Sequence, residues 1–207
     1  IAPALGKAAM KVGSVIMWAT DLQPFFMGIL VSVFVGIALT LPISSAAICA
    51  ALGLTGLAGG AAVAGCCAQM VGFAVMSFRE NKWGGLVSQG IGTSMLQMGN
   101  IVRNPRIWIA PIVTSAITGP IATCLFRLQM NGTAVSSGMG TCGFVGQIGV
   151  YTGWMNDIAE GTKTAVTAMD WAGLFLISFI LPAVLCPLIN MFVRKLGWVK
   201  DGDMTLS

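Results

Sequence analysis

No charge appears between Asp21 and Arg79, between Arg106 and Arg127, or between Asp170 and Arg194. A helix needs about 20 apolar residues to cross roughly 30 Å of hydrocarbon. Each gap therefore holds a crossing, and the first has room for two. Ten-residue strands of alternating polarity are absent, which excludes a membrane barrel. With 56% of residues hydrophobic and 9% charged, the composition is that of a polytopic, all-α integral membrane protein with kinked transmembrane helices. One membrane-embedded domain is expected over 1–207. Because the chain opens at Ile1 without a methionine, further helices are expected ahead of it.

The punctuation of the chain predicts where the helices lie. Ile1 to Thr20 is mildly amphipathic, with Lys7 and Lys11 on one side, and reads as an interfacial helix or the end of one that began upstream. Phe25 to Leu41, Ile107 to Phe126 and Trp171 to Val193 read as spans, and Cys66 to Phe78 completes another. Gly56, Gly60 and Ala64 recur every fourth residue. That spacing makes a smooth stripe for close helix packing; its rival is an unwound, solute-facing hairpin at 53–60. Gly84 to Ile101 is apolar but interrupted by Gln89, Gln97 and Asn100, as in a segment that lies in the interface or dips partly into the membrane. Arg79, Lys82, Arg103 and Arg106 flank it, and Arg194, Lys195 and Lys200 follow the last span; the positive-inside rule puts all of these on the cytoplasmic side. Asp157, Glu160 and Asp170 suit the opposite face. Thr40-Leu-Pro42-Ile43 and Thr118-Gly-Pro120-Ile121 echo one another and nominate two helix breaks.

Between the last two spans, Asn131 to Trp154 contains seven glycines, Gly132, Gly138, Gly140, Gly143, Gly146, Gly149 and Gly153. This stretch is too rich in glycine for a stable helix and too apolar for a solvated loop. At membrane depth such backbone must be buried in protein or line a watery cavity, so a re-entrant loop or broken hairpin is expected. Solutes rich in hydroxyls need hydrogen-bonding groups in an apolar cleft, often with an aromatic face. The expected solute-binding residues are Ser136, Ser137, Gly140, Thr141, Gly143 and Gln147, with Tyr151 and Trp154 nearby. Gln147 is the expected contact to hydroxyls, Thr141 a secondary one, and Gly140 and Gly143 allow close backbone approach.

Independent catalysis is disfavoured. Without histidine there is no Ser-His-Asp or Cys-His relay, and no zinc site is expected from cysteines that lack a CxxC pair. Cys49, Cys66, Cys67, Cys124, Cys142 and Cys186 read as buried thiols. Gly138-Met-Gly140-Thr-Cys-Gly143 fits a dinucleotide fingerprint in letters but lacks the preceding strand. Asn131-Gly-Thr133 is a formal glycosylation sequon without secretory context. Asp157 and Glu160, one helical turn apart, suit a cation pair or a solvated face. No catalytic residue, metal or cofactor is expected, and no nucleic-acid partner, since the basic residues flank spans.

Three segments together, LPISSAAICAALGLTGLAGGAA, NIVRNPRIWIAPIVTSAITGPIATCLF and SSGMGTCGFVGQIG, resemble the PfoR-like membrane proteins grouped with the IIC components of the bacterial phosphotransferase system. The resemblance runs from about Leu22 to Val193. It implies a multi-pass permease of the bacterial cell (inner or plasma) membrane that carries a sugar or related polar solute inward for phosphorylation by a separate IIB protein, itself supplied by IIA. It also implies a homodimer in the lipid bilayer. Better-known sugar-specific members use a histidine and a glutamate near the sugar, whereas the glutamates here are Glu80 and Glu160, neither in the glycine-rich loop. The alternatives are a membrane-embedded regulator or sensor of the PfoR type, and a carrier independent of phosphotransfer. A transporter predicts a polar cavity at the loop; a structural loop predicts packing.

Overall fold

The computed structural model describes residues 2–206, with side chains from Met10 onward, so the placement of Lys7 lies outside it. Helices account for the fold, and no strand occurs among the described residues. Three helices are long and apolar enough to cross a membrane: α4 (Gly56–Met76), α7 (Pro105–Leu125) and α10 (Ala168–Lys195). Before them lie α1 (Ala2–Leu22), α2 (Pro24–Thr40) and α3 (Ser45–Leu52), and between them α5 (Phe78–Val87), α6 (Met98–Arg103), α8 (Ala134–Ser137) and α9 (Val145–Ala159). The expected span at the head of the first uncharged gap is α2, but it does not lead to the opposite face. Thr40 stops level with Gln69 of α4, and α3 returns the chain to the start of α4. A helix cannot continue into the residue before Pro42 at no cost, and Ser44 caps the returning helix by accepting from the Ala47 N–H at 3.1 Å.

The axis of the molecule is α4, apolar on every side and buried almost throughout, as a helix with no polar face must be. The small-residue stripe serves packing. A side chain on Gly60 would meet the Leu128 carbonyl, one on Gly65 the Ser32 carbonyl, and one on Gly72 the Cys186 thiol. Thus α2 runs parallel to α4 and α7 antiparallel to it, with α10 on a further side. Gly119 of α7 and Gly28 of α2 meet in the same way. Of the rival expectation, only unwinding is seen, at the entry to α4, where Gly53 and Gly56 take left-handed φ of 64° and 59°. There the chain pairs with the 128–130 segment through reciprocal Gly56 and Met130 backbone hydrogen bonds of 3.0 Å each.

The two nominated breaks differ. After Thr40 the chain reverses. At Pro120, by contrast, α7 continues into a π-helical turn, Ile121–Leu125, which absorbs the proline's missing donor without reversal. The last span has a similar π-turn at Leu176–Ile180.

At one end of the bundle, the return from α4 and the final residues are tied together. Glu80 accepts from Arg194 at 2.8 Å and from the backbone N–H of Gly202 and Met204 at 3.2 and 3.0 Å. Asn81 donates to the Met204 carbonyl and accepts from the Leu206 N–H, both at 2.8 Å. Arg79, Lys82, Arg103, Arg106, Arg194, Lys195 and Lys200 share this end, whereas Asp157, Glu160 and Asp170 lie at the other, with Arg127 and Lys163. This concentration of arginine and lysine at the tied end is the pattern the positive-inside rule expects of a cytoplasmic face.

The glycine–carbonyl contacts set the spacing of α2 against α4. Gly65→Val is expected to destabilise the protein by about 1–3 kcal/mol, the usual cost of overpacking, lowering its melting temperature in detergent. Gly84→Ala, where an added carbon meets nothing within 4 Å, is expected to leave it unchanged.

Candidate functional site

Three broken segments turn back inside the bundle, and their tips meet beside α4. The first, α2 and α3, enters from the acidic end and turns at 41–44. The second comprises the glycine-rich loop and α9. It enters from the same end, since Gly153 packs on Asn131 and Gly132. It reaches Met70 at Thr141 and returns along α9. The third enters from the tied, basic end through α5, turns in a π-helical stretch Ser88–Gly92 and a 3-10 stretch Ser94–Gln97, and leaves through α6. Sequence reading allowed the third only as an interfacial or partly dipping helix; it is a broken hairpin whose Gln89, Ser94 and Gln97 are fully buried.

Side chains and carbonyls join the tips. Thr40 shares a 2.9 Å hydroxyl–hydroxyl bond with Ser94, linking the first hairpin to the third. The Thr141 hydroxyl donates to the Gly90 carbonyl at 2.6 Å, linking the second to the third. The Ser45 hydroxyl donates to the Gly138 carbonyl at 2.7 Å, linking the first to the second. At the centre Gln69 accepts from the Trp108 indole N–H at 2.9 Å and from Thr40 at 3.2 Å, and it donates to Ser115 at 3.5 Å. Gln69 is the one carboxamide in α4. Its isolation in an apolar span was the signal available in the sequence, because a polar group at membrane depth needs partners.

The residues singled out from the sequence have distinct positions. Ser136 and Ser137 are buried; Ser136 bonds Thr133 at 2.8 Å, and Ser137 donates to the Ala134 carbonyl at 2.7 Å. Thr141 is fully buried in the tip contact. Gly140 and Gly143 both have φ of 53° and Phe144 follows at 58°, so this run of left-handed residues turns the chain back into α9. Gly140 also lies against Cys66 and Cys67. Trp154 is buried, whereas Tyr151 is exposed.

Gln147 differs from the rest. Its amide nitrogen donates to the Cys67 sulfur at 3.3 Å, a weak acceptor, and its oxygen is buried with no partner. Ser178, in the π-turn of α10, lies beside the same thiol, and its buried hydroxyl is likewise unpartnered. A buried polar group left unpaired costs about 1–3 kcal/mol, and π-turns recur at functional sites. Next to this node, Phe144, Gln147, Tyr151, Trp171, Phe175 and Phe179 line a cleft of about 290 Å³. The rings form a ladder: Trp154 meets Trp171 at 5.3 Å, Trp171 meets Phe175 at 6.0 Å, and Phe175 meets Phe179 at 6.2 Å. Ser178 gave no signal in sequence, since a lone serine in an apolar helix usually bonds its own backbone.

The arrangement thus combines an apolar transmembrane frame, hairpins entering from opposite ends whose tips are hydrogen-bonded to one another, and unsatisfied polar groups on α9 and α10 beside Cys67. No curated protein and no solved structure gives a match to this chain. A family model does, over residues 1–206: the one described as Phosphotransferase system, EIIC. The chain therefore belongs to the phosphotransferase system EIIC family, the integral membrane component of that system.

Proposed function

We propose that this EIIC protein carries a sugar, or a closely related polyhydroxylated solute, inward across the bacterial plasma membrane and delivers it to a IIB partner for phosphorylation. The observation that carries the reading is the meeting of opposed hairpin tips around buried polar groups. Broken segments at membrane depth are the usual places where transporters hold solute. Here they are closed on one another by a few hydrogen bonds, each with a net worth of about 1 kcal/mol. A solute that binds better to an opened arrangement shifts such an equilibrium by its differential affinity. Opening between the first and second hairpins faces outward; opening at the third faces the cytoplasm, where the basic end receives IIB and IIA. In this reading the protein works as a homodimer in the bilayer.

Within the loop, Gln147 is the solute contact. Its free oxygen accepts a hydroxyl, and the adjacent rings offer an apolar face to a sugar ring. Ser136, Ser137, Gly140, Thr141 and Gly143 contribute as the frame that presents it, with Thr141 exposing its hydroxyl when the tip contact to Gly90 opens. A second reading, a regulator of the PfoR type, is favoured by one observation: the loop hydroxyls are already satisfied inside the protein.

Two measurements separate these readings. Gln147→Ala is expected to weaken solute binding on the order of tenfold, the loss of one hydrogen bond in a buried site, measured as a melting-temperature shift against a panel of sugars and polyols. Undiminished binding rejects the Gln147 role. A Thr40→Cys/Ser94→Cys pair, cross-linked by oxidation, is expected to stop uptake and to release it on reduction. Unchanged uptake in fully cross-linked protein rejects the moving-hairpin mechanism, and uptake tied to an ion gradient without a phosphorylated product points to a carrier independent of phosphotransfer.

A further inference from the structure

The second hairpin opens, at its acidic end, into a separate cavity of about 480 Å³. Its walls are the 126–131 segment that follows α7, the last turns of α9 and the residues leading into α10. Asp157 lies on one wall. Both of its carboxylate oxygens accept from the Asn131 amide, at 3.0 and 2.9 Å. No ion pair reaches it among the described residues. A carboxylate has about four acceptor positions, so Asp157 keeps acceptor capacity facing the cavity. Lys163 also lines it, its backbone N–H donating to the Asp157 carbonyl at 3.1 Å and its ammonium bonded to Asp170 at 2.8 Å and poised 5.4 Å above the ring of Trp154. Asp170 is itself fixed by the Thr167 N–H and hydroxyl, each at 2.8 Å. Arg127 and Glu160 complete the rim, and both are exposed.

The chemistry of this lining favours a neutral ligand with many hydroxyls. Charges of both signs face each other, so no single ion is selected. Among the described residues no group of three or more Cys, Asp or Glu converges as a metal would require. Fixed carboxylates accept hydroxyl protons, while the amide, ammonium and guanidinium groups donate to hydroxyl oxygens in defined directions. The volume falls within the usual range for small-molecule sites, about 300–1,000 Å³. Asp157 and Gln147 also share α9, ten residues and about 15 Å apart along its axis. One helix therefore joins the cavity to the orphaned amide at the hairpin tips.

We propose that this cavity is an outer capture site for a neutral polyhydroxylated solute, resting on the permease reading above. Asp157 is its principal acceptor and Lys163 its principal donor. Solute collects here, at the non-cytoplasmic end, before the hairpins admit it to Gln147. Trp154 and the Lys163–Asp170 pair give the site a rigid floor, so binding here does not require the tips to part.

The test uses the full chain in lipid nanodiscs, with isothermal titration of D-glucose, D-mannitol and N-acetyl-D-glucosamine, and ethylene glycol as a control for weak general binding. At least one probe is expected to bind the native protein. Asp157→Asn and Lys163→Gln are each expected to weaken that binding on the order of tenfold, whereas Gly84→Ala, in open space on α5, leaves it unchanged. Two variants of opposite charge guard against misfolding of either. Binding that survives both pocket variants overturns the capture site and leaves the permease reading standing. Failure of every probe to bind the folded native protein also overturns the capture site, and the hairpin cross-linking assay of uptake then judges the permease reading separately.

Discussion

Backbone amides and carbonyls cannot be left bare in hydrocarbon, and that requirement organises this protein. Three complete helices satisfy it by themselves. The three broken segments cannot, so each must place its turn against protein, and α4 is the surface they share. A helix with small residues at its contact points is suited to this, because glycine at 60, 65 and 72 lets carbonyls and sulfur approach within a distance that any side chain would block. Between those points Val63, Met70 and Phe73 fill the surrounding core, fully buried.

The same constraint explains why polar residues gather at the tips. A turn frees donors and acceptors, and Thr40, Ser45, Ser94 and Thr141 each supply a hydroxyl to a neighbouring tip. Gln69 anchors the group to the frame through Trp108 and Ser115. Such contacts are strong enough to define one arrangement but weak enough individually to exchange for others. The frame behaves differently. Contacts between α2, α4 and α7 are made by backbone against glycine, and these cannot rearrange without separating the helices.

Much of this was legible in the sequence, unevenly and for physical reasons. The uncharged gaps located α7 and the last span closely, because hydrocarbon thickness fixes the length of a crossing. The flanking arginines and lysines put both ends of the 79–106 segment on one face, and in the structure they share one end. The reversal after Thr40 was signalled by Pro42, but the apolar run of Phe25 to Leu41 read as a crossing because periodicity does not tell how deep a helix ends. The glycine-rich stretch was legible as a broken segment, and Gln147 as a residue of interest. That its neighbours' hydroxyls turn inward depends on contacts with α8 and the third hairpin, which one-dimensional spacing does not encode. Ser178 was invisible for the same reason, since Cys67 beside it is 111 residues away along the chain, and the outer cavity is closed by Asn131, 26 residues from its partner Asp157.

The distribution of strained backbone separates what moves from what holds. Left-handed φ falls at Gly53 and Gly56, at Gly140, Gly143 and Phe144, and at Lys82, at roots or tips of the three hairpins, and also at Arg127, Gly161, Gly197 and Gly202 in connecting and terminal turns. Among the described residues of α4 and α7 it occurs only at Gly56, where α4 begins. A non-glycine residue held at positive φ costs roughly 1–3 kcal/mol, comparable to a tip contact. Relief of strain at Phe144 or Lys82 can therefore offset the breaking of a hydroxyl bond such as Thr141 to Gly90. In the proposed permease, opening then needs only modest solute binding energy. A frame locked by glycine contacts and hairpins balanced between strain and hydrogen bonding is a division of labour suited to a permease that must reset after each passage.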